Sequence, residues 1–371
     1  MQTRVCCLCC LSSLLLCSSL HLRRLPLQQR DLLLSPPPRQ RAEGEEGEVT
    51  WVLRSSQDPS TVMQTRVCSL CCVSSASSSQ PAASCCMHSA LGPPLAAQDP
   101  AGHQNSMLKG KRVIVTGASS GIGEQMAYHL AKMGSHILIT ARTEEKLKKV
   151  VAQCTHLGAA SAHYIAGSMD NLTFAKQVVH KAENLFGGLD MLILNHIGHT
   201  YFGYFDGNVD HVRDLLKINF LSYATMTVAA LPMLKISNGN IVVVSSVAGK
   251  IGLPLTVPYS TTKFALDGFF SSLRMEFIQQ KTNVSITLCI ISYIDTDSAL
   301  KTVSGVIQQP AAPKEECALE IIKGGFLRKR EVYYQYHATK IPLLLRDWAP
   351  EILQSLLLMN YNMDNFQRKE V

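Results

Sequence analysis

Tyr259 and Lys263 stand four positions apart at the start of a stretch with helical periodicity, so a phenol and an ammonium fall on one helix face. A neighbouring cation stabilises phenolate and draws the phenol down from about 10 toward a working pH at which it exchanges protons with a carbonyl or alcohol oxygen. Ser246 ends the apolar run ahead of that helix and could hydrogen-bond the same oxygen. Asn219 lies in the helix before that run, where its amide would hold a water between Lys263 and solvent. Taken singly, Tyr-x-x-x-Lys is a common surface pair. Arranged behind a strand-end serine and a glycine-rich turn, it points to carbonyl–alcohol redox chemistry.

The glycine-rich turn follows the apolar run 112–116 directly. Gly117, Gly121 and Gly123 are spaced G-x-x-x-G-x-G around Ser119, Ser120 and Ile122, and a helix begins within the turn. Backbone N–H groups and the positive end of a helix dipole at such a turn suit a pyrophosphate. A tight strand–helix connection without a ligand would use the same glycines. The second apolar run ends at Arg142, where a nucleotide fold reads the adenosine ribose; Arg pairs with a 2′-phosphate, whereas an acidic residue would accept from a 2′-hydroxyl. Arg142 therefore favours NADP(H) over NAD(H).

His196, His199 and His211 lie close in sequence, yet no carboxylate or cysteine cluster completes a metal site, and the proposed chemistry needs no metal. They read as loop histidines. The formal net charge of +7 is diffuse and would help attract an anionic cofactor. No basic run interleaved with aromatics suggests nucleic-acid binding.

Positioning these groups requires parallel strands alternating with helices. Apolar, β-branched runs predict strands at 112–116, 136–140, 161–165, 189–194, 240–245 and 284–290, with helices at 121–133, 143–157, 171–186, 208–235 and 259–280. The alternation predicts an α/β fold of the Rossmann type, a doubly wound parallel sheet with right-handed crossovers. Beyond the sixth strand, 341–348 and 352–359 carry more apolar surface than a solvated tail requires. They read either as packing on the core or a subunit partner, or as a hydrophobic lid over a lipid-substrate pocket that dips into a membrane.

Residues 1–106 are a different kind of sequence. Ten of the 13 cysteines lie at or before position 86, and the run Met-Gln-Thr-Arg-Val-Cys occurs twice, starting at Met1 and Met63. This Cys/Ser/Pro-rich segment reads as a largely unstructured leader, and 107–371 as the catalytic domain. Its apolar stretch at 6–22 is flanked by Arg4, Arg23 and Arg24 and suits a weak signal or anchor better than a full membrane span. The sequons at Asn171 and Asn283 would accept glycan only if the catalytic domain faces a lumen.

With the glycine turn, Ser246, Tyr259 and Lys263 in this order, the chain from about 109 onward resembles the short-chain dehydrogenase/reductase family. Stretches at 127–134, 188–197, 263–270 and 312–320 are similar to its 11β-hydroxysteroid dehydrogenase type 1 group. The resemblance implies a catalytic set of Ser246, Tyr259, Lys263 and Asn219. It also implies NADP(H) contacts from Ser168 and Met169 beside the adenine, from the Asn195, His196 and Ile197 motif, and from Ile294, Thr296 and Ser298 around the nicotinamide and phosphates. It further implies a steroid or other lipophilic substrate touching Ser246, Tyr259 and Leu253, a homodimer, and an endoplasmic-reticulum membrane location with a lumenal catalytic domain. Non-steroid carbonyl substrates, or an NADP(H)-binding interaction module with little turnover, are the competing readings. Ser292, Leu253 and Pro258 depart from the group's usual residues, as does the leader.

Overall fold

A computed structural model of the protein describes residues 107–362 except Ser304, together with Asn365. The leader, its repeat and its apolar stretch at 6–22 lie outside the described residues.

Seven strands alternate with helices along the chain. They are β1 (Arg112–Thr116), β2 (His136–Ala141), β3 (Ser161–Ala166), β4 (Met191–Leu194), β5 (Asn240–Val244), β6 (Ser285–Ile290) and β7 (Glu331–Tyr333). All pair in parallel in the order β3-β2-β1-β4-β5-β6-β7, with Ile114 of β1 in register with Leu138 of β2 and Leu192 of β4. The strand order reverses at β1, and the crevice beyond the carboxyl ends of β1 and β4 is where doubly wound sheets hold ligands.

The helices are α1 (Gly121–Lys132), α2 (Glu144–His156), α3 (Leu172–Phe186), α4 (Val209–Leu216), α5 (Ser222–Ser237), α6 (Val257–Gln279), α7 (Asp297–Val303) and α8 (Lys314–Phe326). Short helices α9 (Tyr336–Thr339), α10 (Ile341–Trp348) and α11 (Pro350–Met359) follow β7. Strand side chains alternate between two buried faces. Val113 and Val115 pack with Met126 and Leu130 of α1 and with Ile321 of α8, while Ile114 packs with Val178 of α3, Met226 of α5 and Phe270 of α6. Burial of both faces explains why the strands read as continuous apolar runs rather than alternating ones. Truncating a core aromatic such as Phe270 to Ala would cost about 3–5 kcal/mol.

The predicted strands and helices are found with boundary shifts of up to two residues, apart from two departures near the site. Helix α6 starts at Val257, earlier than Tyr259, because Pro258 falls in its first turn, where a fixed φ favours helix and no N–H is needed. The single helix expected over 208–235 is instead α4, one π-helical turn at Lys217–Leu221, and α5. As one unit, Val209–Ser237 is long and apolar enough by length and composition to cross a membrane, yet Tyr223, Met226, Ala230 and Leu234 pack it into the sheet's core. Helix α8 and β7 were not predicted. Gly324 and Gly325 lower the helical signal of α8 but let it lie against Val332 and Val242, and β7 is only three residues long.

Candidate active site

The carboxyl ends of the strands open into a cavity of about 780 Å³, within the range of small-molecule sites. Gly117 leaves β1 at φ +64°, and a Cβ there would lie 2.7 Å from the His196 Cα. A Cβ on Gly123 would strike the Gly117 carbonyl and stand 2.7 Å from Asn195 Nδ2. These glycines therefore let α1 and the segment after β4 close onto the turn. The Ser120 side chain makes no capping hydrogen bond to α1, whose first turn is built by the cavity-lining Gly121 and Ile122. Backbone donors at this helix start are the chemistry a pyrophosphate needs.

Of the residues singled out from the sequence, Gly117, Ser119, Ser120, Gly121, Ile122, Arg142, Ser168, Met169, Asn195, His196, Ile197, Ile294, Thr296 and Ser298 line this one cavity. Gly123 does not line it and instead packs behind the turn. Arg142 is exposed just past β2 and, among the described residues, has no ion-pair partner. Asn195 uses its amide on the protein, with Nδ2 donating to the carbonyls of Thr116 (3.1 Å) and Gly117 (3.2 Å). Thr296 hydroxyl accepts from Ala299 N–H at the start of α7. His196 lies in the loop after β4 with its ring buried between Thr116 Oγ1 (2.9 Å) and Ser222 Oγ (2.7 Å), and burial pushes it down to about 3.

Ser246, Tyr259, Lys263 and Leu253 line the same cavity. Ser246 follows β5 and caps a 3-10 turn at Val247–Gly249, accepting from Ala248 N–H at 3.2 Å. Its hydroxyl faces the Tyr259 phenol closely enough to oppose the upward push that burial gives the phenol. Lys263 is 2% exposed, donates from Nζ to the Val244 carbonyl (2.9 Å), and lies 5.5 Å from the centroid of the Tyr259 ring. Asn219 is fully buried in the π-helical turn and is absent from the cavity wall. Gly198 N–H donates to its Oδ1 (2.7 Å), and its Nδ2 donates to Thr262 Oγ1 (3.2 Å). Thr262 in turn donates to the Tyr259 carbonyl (2.8 Å), so Asn219 braces the first turn of α6.

The electrostatics correct one expectation. Lys263 was expected to draw the Tyr259 phenol down, but burial pushes the phenol up, opposed by the Ser246 hydroxyl. Burial also lowers Lys263 to about 7. Spacing alone shows the pair and not the desolvation that weakens the cation's influence.

Tyr201, Thr256, Gln309, Pro342, Leu357 and Tyr361 add wall that sequence reasoning did not name. Pro342 and Leu357 belong to the two C-terminal apolar stretches, whose excess hydrophobicity was their signal. Thr116 and Thr262 were also missed. A hydroxyl residue closing the apolar run 113–115 of β1, directly before Gly117, would have drawn attention to Thr116; Thr262 gave no such sign.

Residues 111–305 match the family model for short chain dehydrogenase. Over 261 residues, 70% of this chain and 90% of the relative, the protein is 49% identical to Hydroxysteroid 11-beta-dehydrogenase 1-like protein A of Xenopus laevis. It is 50% identical to a Hydroxysteroid 11-beta-dehydrogenase 1-like protein of Danio rerio, with 68% of this chain and 88% of the relative covered. Among solved structures it is similar in fold to a short chain dehydrogenase/reductase of Burkholderia phymatum in complex with NAD, at a TM-score of 0.59 and 18% identity, covering 66% of this chain and 96% of that one. A short chain dehydrogenase of Burkholderia cenocepacia in complex with NADP superposes at a TM-score of 0.55 and 24% identity, covering 61% and 97%. Its parallel sheet, its glycine turn and these matches together show that this chain belongs to the short-chain dehydrogenase/reductase family of oxidoreductases.

Proposed function

We propose that this protein is an NADP(H)-dependent oxidoreductase that interconverts a hydroxyl and a ketone on a steroid, an 11β-hydroxysteroid and its 11-oxo counterpart. The observation that carries the reading is the convergence of Ser246, Tyr259 and Lys263 on the cavity that also holds the glycine turn and Arg142. The similarity to hydroxysteroid 11-beta-dehydrogenase 1-like proteins of Xenopus laevis and Danio rerio supports the substrate class.

The residues fit the cofactor. The turn through Ser119, Ser120 and Gly121 would cradle the pyrophosphate, and Arg142 would pair with a 2′-phosphate. Ser168 and Met169 would flank the adenine, and the walls built by Ile197, Ile294, Thr296 and Ser298 would enclose the remainder. When bound, the cofactor supplies or accepts the hydride. Tyr259 carries the proton that the carbonyl oxygen gains in reduction, and its raised phenol keeps that proton on the chain at neutral pH. Ser246 holds phenol and substrate oxygen together. Lys263, anchored on the Val244 carbonyl, holds its amine beside the ring, while Leu253 gives the substrate an apolar wall.

For location, the proposal is the endoplasmic-reticulum membrane, with the catalytic domain in the lumen and two copies forming a homodimer. Support for the membrane surface comes from Trp348 (89% exposed), Leu358 and Met359 on α10 and α11. Asn171 and Asn283 are exposed, and each accepts hydrogen bonds through Oδ1, the oxygen opposite the nitrogen that would carry a glycan.

The test is NADPH consumption by the full chain in mild detergent with 11-oxosteroids and non-steroid ketones. Oxidation matched by formation of the 11β-alcohol is the expected result. Turnover of non-steroid ketones alone would replace the steroid assignment, and NADPH binding without oxidation would point to the interaction-module reading.

A further inference from the structure

The π-helical turn that carries Asn219 leaves a backbone group without its usual partner. Ser222 N–H bonds to the Lys217 carbonyl, one residue further back than in an α-helix, so the Ile218 carbonyl loses the donor an α-helix would give it. A buried carbonyl left unpaired is costly, and such turns persist only where something else satisfies it. Two side chains do so here: Ser222 Oγ donates to Ile218 O at 2.5 Å, and His196 Nε2 reaches the same oxygen at 3.1 Å.

The tautomer follows from the network. Thr116 Oγ1 is 2.9 Å from His196 Nδ1 but 3.3 Å from the Ile193 carbonyl, so its hydroxyl hydrogen is assigned to Nδ1 and the ring hydrogen to Nε2. That turns the ring's only N–H toward the turn, where it meets Ser222 Oγ at 2.7 Å, the hydroxyl that itself donates to Ile218 O, and the Ile218 carbonyl at 3.1 Å. From this point the contacts run in sequence to the reacting groups. The turn holds Asn219 between Gly198 N–H and Thr262 Oγ1, and Thr262 holds the Tyr259 carbonyl. The His196 backbone is tied in as well, its carbonyl accepting from Tyr223 OH at 2.6 Å.

We propose that His196 is a positioning residue for the reaction: its Nε2–H secures the π-helical turn, which sets Asn219 and through Thr262 the register of Tyr259 and Lys263. In this role the ring acts through the turn and not through the cavity wall to which His196 also contributes. Held neutral by burial, it serves as a fixed donor across the working pH range. The proposal rests on the oxidoreductase reading above for its catalytic consequence, although the hold on the turn does not depend on it.

Asn and Gln separate the ring's two nitrogens, because an Asn amide falls near Nδ1 and a Gln amide near Nε2. In the full chain, H196N keeps an acceptor for Thr116 and loses the donor to Ile218; H196Q keeps a donor there. H196N should lower kcat for ketone reduction by about 10²-fold, the scale of a catalytic group displaced by about 1 Å. KM for the ketone should hardly change, and H196Q should recover most of kcat. Hydrogen exchange over 217–223 should speed up in H196N and stay near wild type in H196Q, whether or not a ketone is turned over. An unchanged kcat in H196N would overturn the proposal. So would equal losses in both variants that follow melting temperature and NADPH affinity, which would make the ring simple packing. If the wild-type chain reduced no ketone, the functional reading would fail, and the exchange contrast would still decide whether His196 holds the turn.

Discussion

Replacing Lys263 with Met should make the protein less active and alter how its stability depends on pH. The ammonium is 2% exposed, and burial lowers it from 10.5 to about 7. At about 1.4 kcal/mol per pH unit, that displacement represents on the order of 5 kcal/mol of disfavoured charge. The folded pKa lies below the unfolded one, so between them the unfolded chain binds more protons and stability rises with pH. The burden is fully present below pH about 7 and is relieved toward pH about 10. Across about pH 6 to 9, the wild-type chain should gain roughly 2–3 kcal/mol that K263M lacks. Met fills a similar volume but cannot donate to the Val244 carbonyl, a loss of about 1–3 kcal/mol that does not vary with pH. Urea unfolding followed by circular dichroism at several pH values separates the constant offset from the slope. Parallel pH profiles for wild type and K263M would show that Lys263 titrates near its ordinary value and that burial does not govern it.

Tyr259→Phe should reduce turnover about 10²–10⁴-fold while leaving NADPH affinity nearly intact, since the ring remains and only the proton donor goes; wild-type rates would remove Tyr259 from the chemistry. Arg142→Asp should cost about 1.5–3 kcal/mol of NADPH affinity and shift preference toward NADH, as read by fluorescence titration of both nucleotides. Because burial raises the Tyr259 phenol, alcohol oxidation, which needs the deprotonated form, should accelerate with pH through the alkaline range while ketone reduction falls there. Initial rates in both directions test this, and parallel profiles would refute it. A chain beginning at Met107 should keep NADPH binding and ketone turnover, because β1 and, among the described residues, all those lining the cavity lie beyond that point.

What was legible in the sequence was whatever a local rule dictates. Gly117 and Gly123 are demanded by backbone approach, and Tyr259 and Lys263 by helical spacing, so both features could be read without knowing what packs around them. The π-helical turn was invisible because its stability depends on His196, more than twenty residues away, reaching the Ile218 carbonyl. Helix α8 was obscured by Gly324 and Gly325, which weaken a propensity signal yet are needed for contact with Val332 and Val242. The direction of the Tyr259 shift was misread for a related reason: the pairing is local, but the burial that overrides it is tertiary.

Thr116 shows how the two halves of the site are joined. Its hydroxyl accepts from the Asn195 N–H at 2.8 Å, fixing the segment whose side chain bonds the Gly117 carbonyl and so the glycine turn. The same oxygen lies 2.9 Å from His196 Nδ1, the ring that reaches the π-helical turn and, through Asn219 and Thr262, the Tyr259 carbonyl. A nucleotide held by the turn and a carbonyl beside Tyr259 must meet within the short distance that hydride transfer requires. A single hydroxyl bonded toward both gives the two halves of the site a common point of attachment. Thr116 at the end of β1 is thus the residue through which the glycine turn and the first turn of α6 are joined.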